Sequence, residues 1–408
     1  MLVITTNEFQ STSGGSALLR SLFNNFDRKN LFVIHKDHVK KKYGPQFYLS
    51  FRFLRPRIKL IKLFLLAFIE IFRTFTLPSR QDLINLILQG SKYSIPFHVQ
   101  QKILKFSPDV IYGWAGDSLW ANLVFNSASK LKLPFVIHFM DNHFELSGKT
   151  VIEKILNDEY RQNISKGLLK SEKIFTISSA MGKAYKKIFS KKYEVFHALF
   201  DASSWPKPEF NQSKKVFNIT FAGSLENGQT EAIKDIAKAI DKLSLEGFKI
   251  DLTFCTTKYY EKRIHKIFGG YAYIKYIKHP DIKELPKVFK NANVLLLAYG
   301  FDKETIEYYR YSFATKIVPY TFSARCIFGY GPKSIEPINN LIRGGYSYVV
   351  TESSVDKLAK TIKFLINNPE ECNKFAKLAY KTGLIEYDMH KQSKKFELAL
   401  QKVANIKT

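Results

Sequence analysis

Short apolar runs alternate along the chain with longer stretches in which apolar residues recur at helical spacing. In the first half, strand-like runs occur at residues 1–5, 31–35, 110–113, 135–139, 173–177 and 194–197. Helix-like stretches begin near residue 16, near 119 and at 179. Strands that alternate with helices are typical of a parallel sheet covered by helices on both faces. The pattern therefore predicts an α/β domain over residues 1–200.

A second alternating series follows a segment rich in proline and polar residues. That segment, 201–216, contains Pro206 and Pro208 and is predicted to be a linker. Strand-like runs then occur at 217–222, 249–254, 272–277, 294–298, 326–330 and 346–350, and helices are expected around 230–245, 282–290 and 355–366. We expect a second α/β domain at 217–385 and a C-terminal helix at 386–408 that returns to the first domain. Ligands of such sheets bind at the carboxyl ends of the strands, so the site is expected in a cleft between the domains.

Composition and charge limit the classes of protein to which this chain can belong. Hydrophobic residues make up 45% of the 408 residues, which is typical of a folded protein. The three cysteines, Cys255, Cys326 and Cys372, are too far apart to predict a disulfide framework or a zinc site. The first run lacks the features of a secretory signal, so we expect the mature chain to begin at Met1 in the cytoplasm. The net charge of +27 suits nucleic acid, anionic lipid or a phosphorylated substrate.

Much of the positive charge lies in one region, which includes Arg52, Arg55, Arg57, Lys59 and Lys62. The next stretch, 58–75, has an apolar surface with its few polar residues on one side at helical spacing. Its longest run without a charged residue is much shorter than the roughly 20 residues that a helix needs to cross a bilayer. Two interpretations remain: a buried core helix, or an interfacial helix in contact with anionic headgroups. No nucleic-acid module is recognisable, so nucleic acid is the least favoured partner.

Candidate functional residues follow three of the predicted strands. Gly14 and Gly15 precede the first helix, where backbone N–H groups can approach a phosphate; a plain turn capped by Ser16 is the alternative. His138 and Asp141 follow the run at 135–139 and would face the cleft; the alternative is a core histidine and a helix-capping aspartate. Gly223 begins a turn after 217–222 that suits a diphosphate, and an ordinary tight turn is about as well supported.

The most specific segment is YSFATKIVPYTFSARCIFGYGP at 311–332. It resembles a segment of GT-B glycosyltransferases, in particular of family 4-like cell-envelope enzymes. Other motifs resemble the same family at corresponding places: the glycines at 14–15, IHFMD at 137–141, FTISSAMGKAY at 175–185, AGS at 222–224 and NANVLLLAY at 291–299. The resemblance implies the GT-B fold, with two Rossmann-like doubly wound domains and an interdomain cleft.

The resemblance also implies a separate function for each domain. The first domain would bind a lipid-linked or other glycan acceptor and the second a nucleotide sugar, without a metal or other cofactor and with retention of configuration. Lys316 matches the lysine near the donor diphosphate, and we expect Lys316, Asp141 and His138 to be catalytic. The donor would be bound by residues of three motifs: Gly14, Gly15, Gly223, Ser224, Ser312, Phe313, Thr315 and Lys316. The basic residues at 52–62 would form a membrane or acceptor surface. No two aspartates are separated by a single residue, so the chain lacks a DxD metal-diphosphate motif.

Three positions depart from the family pattern. Pro319 and Tyr311 stand where the family often has the two glutamates of an E-x7-E pattern, and Ser224 stands where arginine is frequent. Neither proline nor tyrosine accepts hydrogen bonds as a carboxylate does. The sequence therefore predicts a peripheral membrane glycosyltransferase, with a non-catalytic GT-B-like scaffold that binds a glycan or a partner protein as the alternative.

Overall fold

In a computed structural model the chain forms two compact units. The first unit contains Met1–His197 and Ser393–Thr408, and the second contains Ala198–Gln392. The structure describes residues 1–5, 9, 14–35, 45–48, 54–56, 91–93, 95–114, 116, 118–145, 151–210, 215–225, 227–281 and 283–405.

The first unit is an α/β structure built on a parallel sheet. Its strands are β1 Leu2–Thr5, β2 Phe32–His35, β3 Gln46–Tyr48, β6 Ile111–Trp114, β7 Phe135–Phe139, β8 Lys173–Thr176 and β9 Lys192–Val195, and a separate antiparallel pair is formed by β4 Leu54–Pro56 and β5 Ser91–Tyr93. The order in the sheet is β3-β2-β1-β6-β7-β8-β9. Its helices are α1 Gly14–Leu22, α2 Phe97–Phe106, α3 Ser118–Leu131, α4 Val151–Leu168 and α5 Ser179–Phe189.

The second unit repeats this architecture. Its strands are β10 Phe217–Ala222, β11 Ile250–Thr256, β12 Ile274–Lys278, β13 Val294–Ala298, β14 Cys326–Tyr330 and β15 Ser347–Val350, in the order β12-β11-β10-β13-β14-β15. Its helices are α6 Asn227–Leu245, α7 Lys258–Phe268, α8 Leu285–Phe289, α9 Lys303–Tyr309, α10 Ile317–Thr321, α11 Glu336–Gly344, α12 Val355–Asn367 and α13 Pro369–Glu386. Helix α14, Met389–Ala404, begins in the second unit and ends in the first.

Two inner strands of the second sheet, β13 and β14, are buried along their whole length. Burial on both faces is characteristic of parallel strands covered by helices, and the strands here pair in parallel. In β12, which stands at the end of the strand order, every residue is half-buried or exposed. The sequence prediction of an α/β fold with two doubly wound sheets is confirmed.

The strand order of the second unit identifies where a ligand is expected. Counted in chain order within the unit, the order is 3-2-1-4-5-6, and the order reverses between the first and fourth strands, β10 and β13. In doubly wound sheets the loops that follow the strands at this switch point diverge and leave a crevice for a ligand. The turns after Ala222 and Ala298 are therefore where a ligand is expected to bind.

The sequence pattern predicted the buried strands better than the surface elements. The short strands β3, β4 and β5 and the helices α2, α4, α7, α9, α10, α11 and α13 were not predicted. The predicted helix at 58–75 lies outside the described residues. In the part of the chain that the structure describes, none of the helices combines the length and the apolar character that a bilayer crossing needs.

Helix α14 has several buried residues, and Phe396 is the largest of them. The ring of Phe396 is fully buried and makes edge contacts with Phe23, Tyr112 and Phe196 at centroid distances of 5.0, 5.7 and 5.0 Å. Phe175 lies 5.8 Å away in a tilted arrangement. Edge-to-face contacts among buried rings add to the free energy gained by removing the rings from water.

Replacing this ring should destabilise the protein strongly. We expect Phe396→Ala to lower the free energy of unfolding by about 3–5 kcal/mol, the range for removing a large buried aromatic side chain. Urea unfolding followed by circular dichroism measures this. Leu398→Ala, two residues away on the same helix and 45% exposed, is the control and should change stability by less than about 0.5 kcal/mol. Equal losses for the two variants would contradict the assigned packing.

Candidate functional site

The carboxyl end of β10 is fixed by a tyrosine from a neighbouring helix. The backbone N–H of Ala222 donates to the hydroxyl of Tyr320 at 2.9 Å, and this hydroxyl donates to the carbonyl of Leu296 at 3.3 Å. Tyr320 is fully buried in α10. The end of β10 is thus tied to β13 and to α10 through one side chain.

The chain turns at Gly223 immediately after this anchored strand end. Gly223 has a φ of +107°, in the region that glycine adopts without steric cost. Its N–H donates to the carbonyl of Cys255 at 2.9 Å. Helix α6 begins four residues later at Asn227, so its N-terminal turn follows this glycine closely.

The two turns at the switch point approach each other through glycines. A Cβ placed on Gly300 would lie 2.8 Å from the carbonyl oxygen of Gly228, and a Cβ on Gly228 would lie 2.1 Å from Oγ1 of Thr305. Asp302 begins α9 by accepting hydrogen bonds from the N–H and the hydroxyl of Thr305 at 2.8 and 2.6 Å. The glycines allow the loop after β13 to pack directly on the first turn of α6.

Lys316 brings a positive charge to the turn after β10. Its Nζ atom is buried and lies 4.0 Å from the centroid of the Phe221 ring. The same atom is 3.5 Å from the position that a Cβ on Gly223 would occupy. An ammonium over an aromatic face is stabilised by the ring quadrupole. The structure therefore brings together Lys316 and Gly223, two of the residues that the sequence predicted to bind the donor.

Four other residues of the second unit were predicted to bind the sugar donor, and the structure shows their surroundings. Ser312 is buried and its hydroxyl donates to the carbonyl of Tyr308 at 3.1 Å. Phe313 is 8% exposed, and its ring lies 5.9 Å from the ring of Tyr387. Thr315 is half-buried and Ser224 is exposed. Contact with a donor stays a prediction for these four residues.

His138 lies in the interior of the first unit. Its ring is fully buried, with Nδ1 2.8 Å from the hydroxyl of Tyr112 and Nε2 3.0 Å from the carbonyl of Phe196. Burial lowers the pKa of His138 to about 3. These are the surroundings of a core histidine, the alternative that the sequence left open, and a catalytic role for it stays a prediction.

Asp141 is more accessible. It is half-buried, its Oδ2 lies 3.9 Å from Nε2 of His143, and its carbonyl accepts from the N–H of His143 at 3.0 Å. It does not begin a helix in the described residues around it. Its predicted role in catalysis is untested.

The remaining predicted residues are described only in part. Gly14 and Gly15 are the first residues of α1, a helix of nine residues. Four residues of the basic cluster, Arg52, Arg57, Lys59 and Lys62, lie outside the described residues, and Arg55 is described only as part of strand β4. Within the described ranges, histidine, cysteine and carboxylate side chains form no group of three or more that could hold a metal ion.

Comparison with known proteins identifies the fold. No protein-family model matches the chain, and no curated protein sequence matches it. Solved structures do match: sucrose-phosphate synthase from Thermosynechococcus elongatus has a TM-score of 0.67 and 8% identity, covering 98% of both chains. HepE from Anabaena, solved with UDP-glucose, has a TM-score of 0.64 and 12% identity, covering 98% of this chain and 100% of HepE. A glycosyltransferase from Rickettsia africae has a TM-score of 0.66 and 10% identity, covering 99% of this chain and 98% of that one.

The chain has the GT-B fold. The identities are low, so the shared feature is the arrangement of the strands and helices. The GT-B fold was expected from the motif at 311–332, and this expectation is confirmed. The family 4-like and cell-envelope assignments stay predictions.

Several residues that build the GT-B candidate site were not identified in the sequence. Tyr320, Gly228 and Gly300 act through contacts between segments that are far apart in sequence, and no local pattern marks them. Asp302 is different, because an aspartate three residues before Thr305 is a common helix-start signal. This signal is present in the sequence and indicates the start of α9.

The pKa of His138 predicts a pH dependence of stability. The unfolded chain binds a proton on this ring below its ordinary pKa of 6.5, whereas the folded chain does not until about pH 3. The stability due to the neutral ring is therefore complete above 6.5 and is lost as the pH falls. Lowering the pH from about 7 to about 5 should remove roughly 2 kcal/mol through this residue.

Urea unfolding at a series of pH values tests this dependence. His138→Gln should flatten the loss of stability on acidification relative to the unmodified chain. His98→Gln, at an exposed position, is the control and should leave the pH dependence unchanged. An unaltered slope for His138→Gln would show that the ring does not stay neutral in the folded protein.

The contact between the switch-point turns predicts a strict requirement for glycine at residue 300. Gly300→Ala places a Cβ against the backbone oxygen of Gly228 and should destabilise the protein by about 1–3 kcal/mol, as overpacking does. Thermal denaturation measures the loss. Gly270→Ala, where no atom lies within 4 Å of the added Cβ, is the matched control and should be close to neutral. If both substitutions are tolerated equally, the two turns are not in contact.

Proposed function

We propose that the protein is a glycosyltransferase that moves a sugar from a nucleoside diphosphate sugar to an acceptor. The observation that carries the proposal is the ammonium of Lys316 beside the turn at Gly223, at the carboxyl end of β10. The switch point of a doubly wound sheet is where such folds bind nucleotides. The GT-B fold supports the proposal, because one solved structure that shares it, HepE, contains UDP-glucose.

The chemistry follows from the charge that a diphosphate leaving group gains. When the bond between the sugar and the diphosphate breaks, negative charge grows on the phosphate oxygens. A positive charge fixed in advance stabilises this state more than it stabilises the bound donor. Lys316 would supply that charge, and the N–H groups at the start of α6 would supply hydrogen-bond donors and the positive end of the helix dipole.

We propose further that transfer is independent of metal and retains the anomeric configuration. The chain lacks a DxD motif, and a lysine with helix N–H groups would offset the charge of the diphosphate. The retaining outcome is supported only by the resemblance of the segment at 311–332 to family 4-like enzymes.

The acceptor is proposed to be lipid-linked or another cell-envelope glycan. The basic residues at 52–62 precede an amphipathic stretch in the sequence, and clusters of this kind bind anionic membrane surfaces. The protein would then act at the cytoplasmic face of the membrane as a peripheral protein. No nucleic-acid partner is proposed.

A second candidate function is a non-catalytic scaffold that binds a glycan or a partner protein. Pro319, Tyr311 and Ser224 favour it, since they replace two glutamates and an arginine of the family pattern. Pro319 lies within α10, and Tyr311 is half-buried. A scaffold of this kind would not bind nucleotide sugars, which separates the two candidates.

Lys316→Ala is the decisive substitution. It should lower turnover by roughly two orders of magnitude or more, as removal of one preorganised electrostatic group does. Isothermal titration calorimetry with UDP-, GDP- and dTDP-sugars identifies the donor, and turnover with a lipid-linked acceptor follows. Lys287→Ala, at a side chain 77% exposed and paired with Glu284, is the control and should retain full turnover.

Two outcomes would contradict the proposal. If none of the nucleotide sugars binds, the scaffold interpretation is favoured instead. If a donor binds and is turned over but Lys316→Ala has the turnover of the unmodified chain, the role assigned to Lys316 is wrong.

A further inference from the structure

A cavity opens at the end of the second sheet opposite to Lys316. Its volume is about 530 Å³, and it is lined by residues at the amino ends of the strands, among them Phe217, Lys249, Asn293 and Cys326. The start of α13 closes another side through Pro369, Cys372 and Asn373. The cavity is large enough for a small molecule, and the site proposed above does not use it.

Two cysteine side chains meet in this cavity. Cys326 is the first residue of β14, and Cys372 lies in the first turn of α13, which packs on β14. The two thiols interact with each other, and each also lies near a backbone carbonyl oxygen, Cys326 3.7 Å from that of Ile327 and Cys372 3.6 Å from that of Leu365. The two side chains are therefore neighbours in the cavity although 46 positions separate them in the sequence.

The two thiols differ in accessibility and in acidity. Cys326 is 1% exposed, whereas Cys372 is half-buried. The hydrogen bond from Cys326 lowers the pKa of Cys372 below its ordinary value, against the effects of burial and of Glu370 and Glu371. The same pairing and burial raise the pKa of Cys326. Cys372 is thus the thiol that ionises first and the one that a reagent reaches from the cavity.

Basic residues also line the cavity. The guanidinium of Arg325, the residue before Cys326, lines the cavity and is itself 5% exposed. Lys215 and Lys249 lie at the exposed rim. Glu370 and Glu371 raise the pKa of Cys372, so the lower pKa of its thiol comes from its interaction with Cys326.

We propose that Cys372 and Cys326 form a peroxide-sensitive dithiol that closes to a disulfide. The thiolate of Cys372 attacks one oxygen of hydrogen peroxide, the O–O bond breaks, and the departing hydroxide takes up a proton to become water. Cys372 is left as a sulfenic acid. The sulfur of Cys326 then attacks the sulfur of Cys372, the S–O bond breaks, and the hydroxide leaves as water with the proton of the Cys326 thiol. Two thiols are oxidised by two electrons and one peroxide is reduced to two waters.

The disulfide would connect the core of the sheet to a helix that also contacts the candidate site. Helix α13 packs against α10, where a Cβ on Gly383 would lie 2.7 Å from Oγ1 of Thr321. Helix α10 begins directly after Lys316. A bond between β14 and α13 would therefore restrain the helix against which α10 packs.

Cys255 provides an internal reference for the test. It is fully buried, it does not line the cavity, and burial raises its pKa to about 11. The folded protein is treated with increasing hydrogen peroxide, the remaining thiols are blocked with N-ethylmaleimide after unfolding, and peptides are mapped by mass spectrometry. We expect a peptide pair joined between Cys326 and Cys372, lighter by two hydrogen atoms. It should form about tenfold or more faster than any oxidation of Cys255 and should be reversed by dithiothreitol.

Two conservative variants separate the steps. In Cys326→Ser, Cys372 should be oxidised to sulfenic and then sulfinic acid without forming a disulfide, because no second thiol is present. In Cys372→Ser, Cys326 should stay reduced at the same peroxide concentration. The proposal is overturned if Cys326 and Cys372 of the unmodified chain react no faster than Cys255, or if Cys372 goes directly to sulfinic acid while Cys326 remains a free thiol. Both of these outcomes are measured on the unmodified protein, so they do not depend on whether the variants fold.

Discussion

The ammonium of Lys316 lies over the ring of Phe221 and beside the left-handed turn at Gly223, and the proposed donor site depends on that contact. Phe221 belongs to β10 and Gly223 follows directly after it, so the strand positions both partners of the lysine. An ammonium in a poorly hydrated setting attracts an anion more strongly than it does in water. The start of α6 presents N–H groups after the same turn. These features together favour a diphosphate at this place.

The surroundings of the contact keep it in position. Tyr320 ties the end of β10 to β13 and belongs to α10, the helix that begins after Lys316. Gly228 and Gly300 let the loop after β13 pack on the start of α6. A site that stabilises developing charge has to be rigid before the reaction, because reorganisation during the reaction would consume the gain. Buried hydrogen bonds and backbone contacts provide such rigidity in this unit.

The buried strands were predictable from the sequence because they are short, mainly apolar runs that alternate with helix-like stretches. The runs at 217–222, 294–298 and 326–330 correspond to β10, β13 and β14 with the same bounds. Lys316 and Gly223 were found through a motif and a glycine after a strand. Tyr320 and Gly300 were not found, because their roles come from contacts between distant segments. For His138 the sequence offered two environments, and only packing against Tyr112 and Phe196 shows that its ring is enclosed.

A crystal structure of the protein with UDP-glucose, or with whichever donor it binds, tests whether Lys316 and the turn after β10 bind the diphosphate. We expect the diphosphate at this turn, with an oxygen within hydrogen-bond distance of Nζ of Lys316 and others facing the N–H groups at the start of α6. A diphosphate bound elsewhere in the second unit, with Lys316 making no contact to it, would show that Lys316 does not bind the donor.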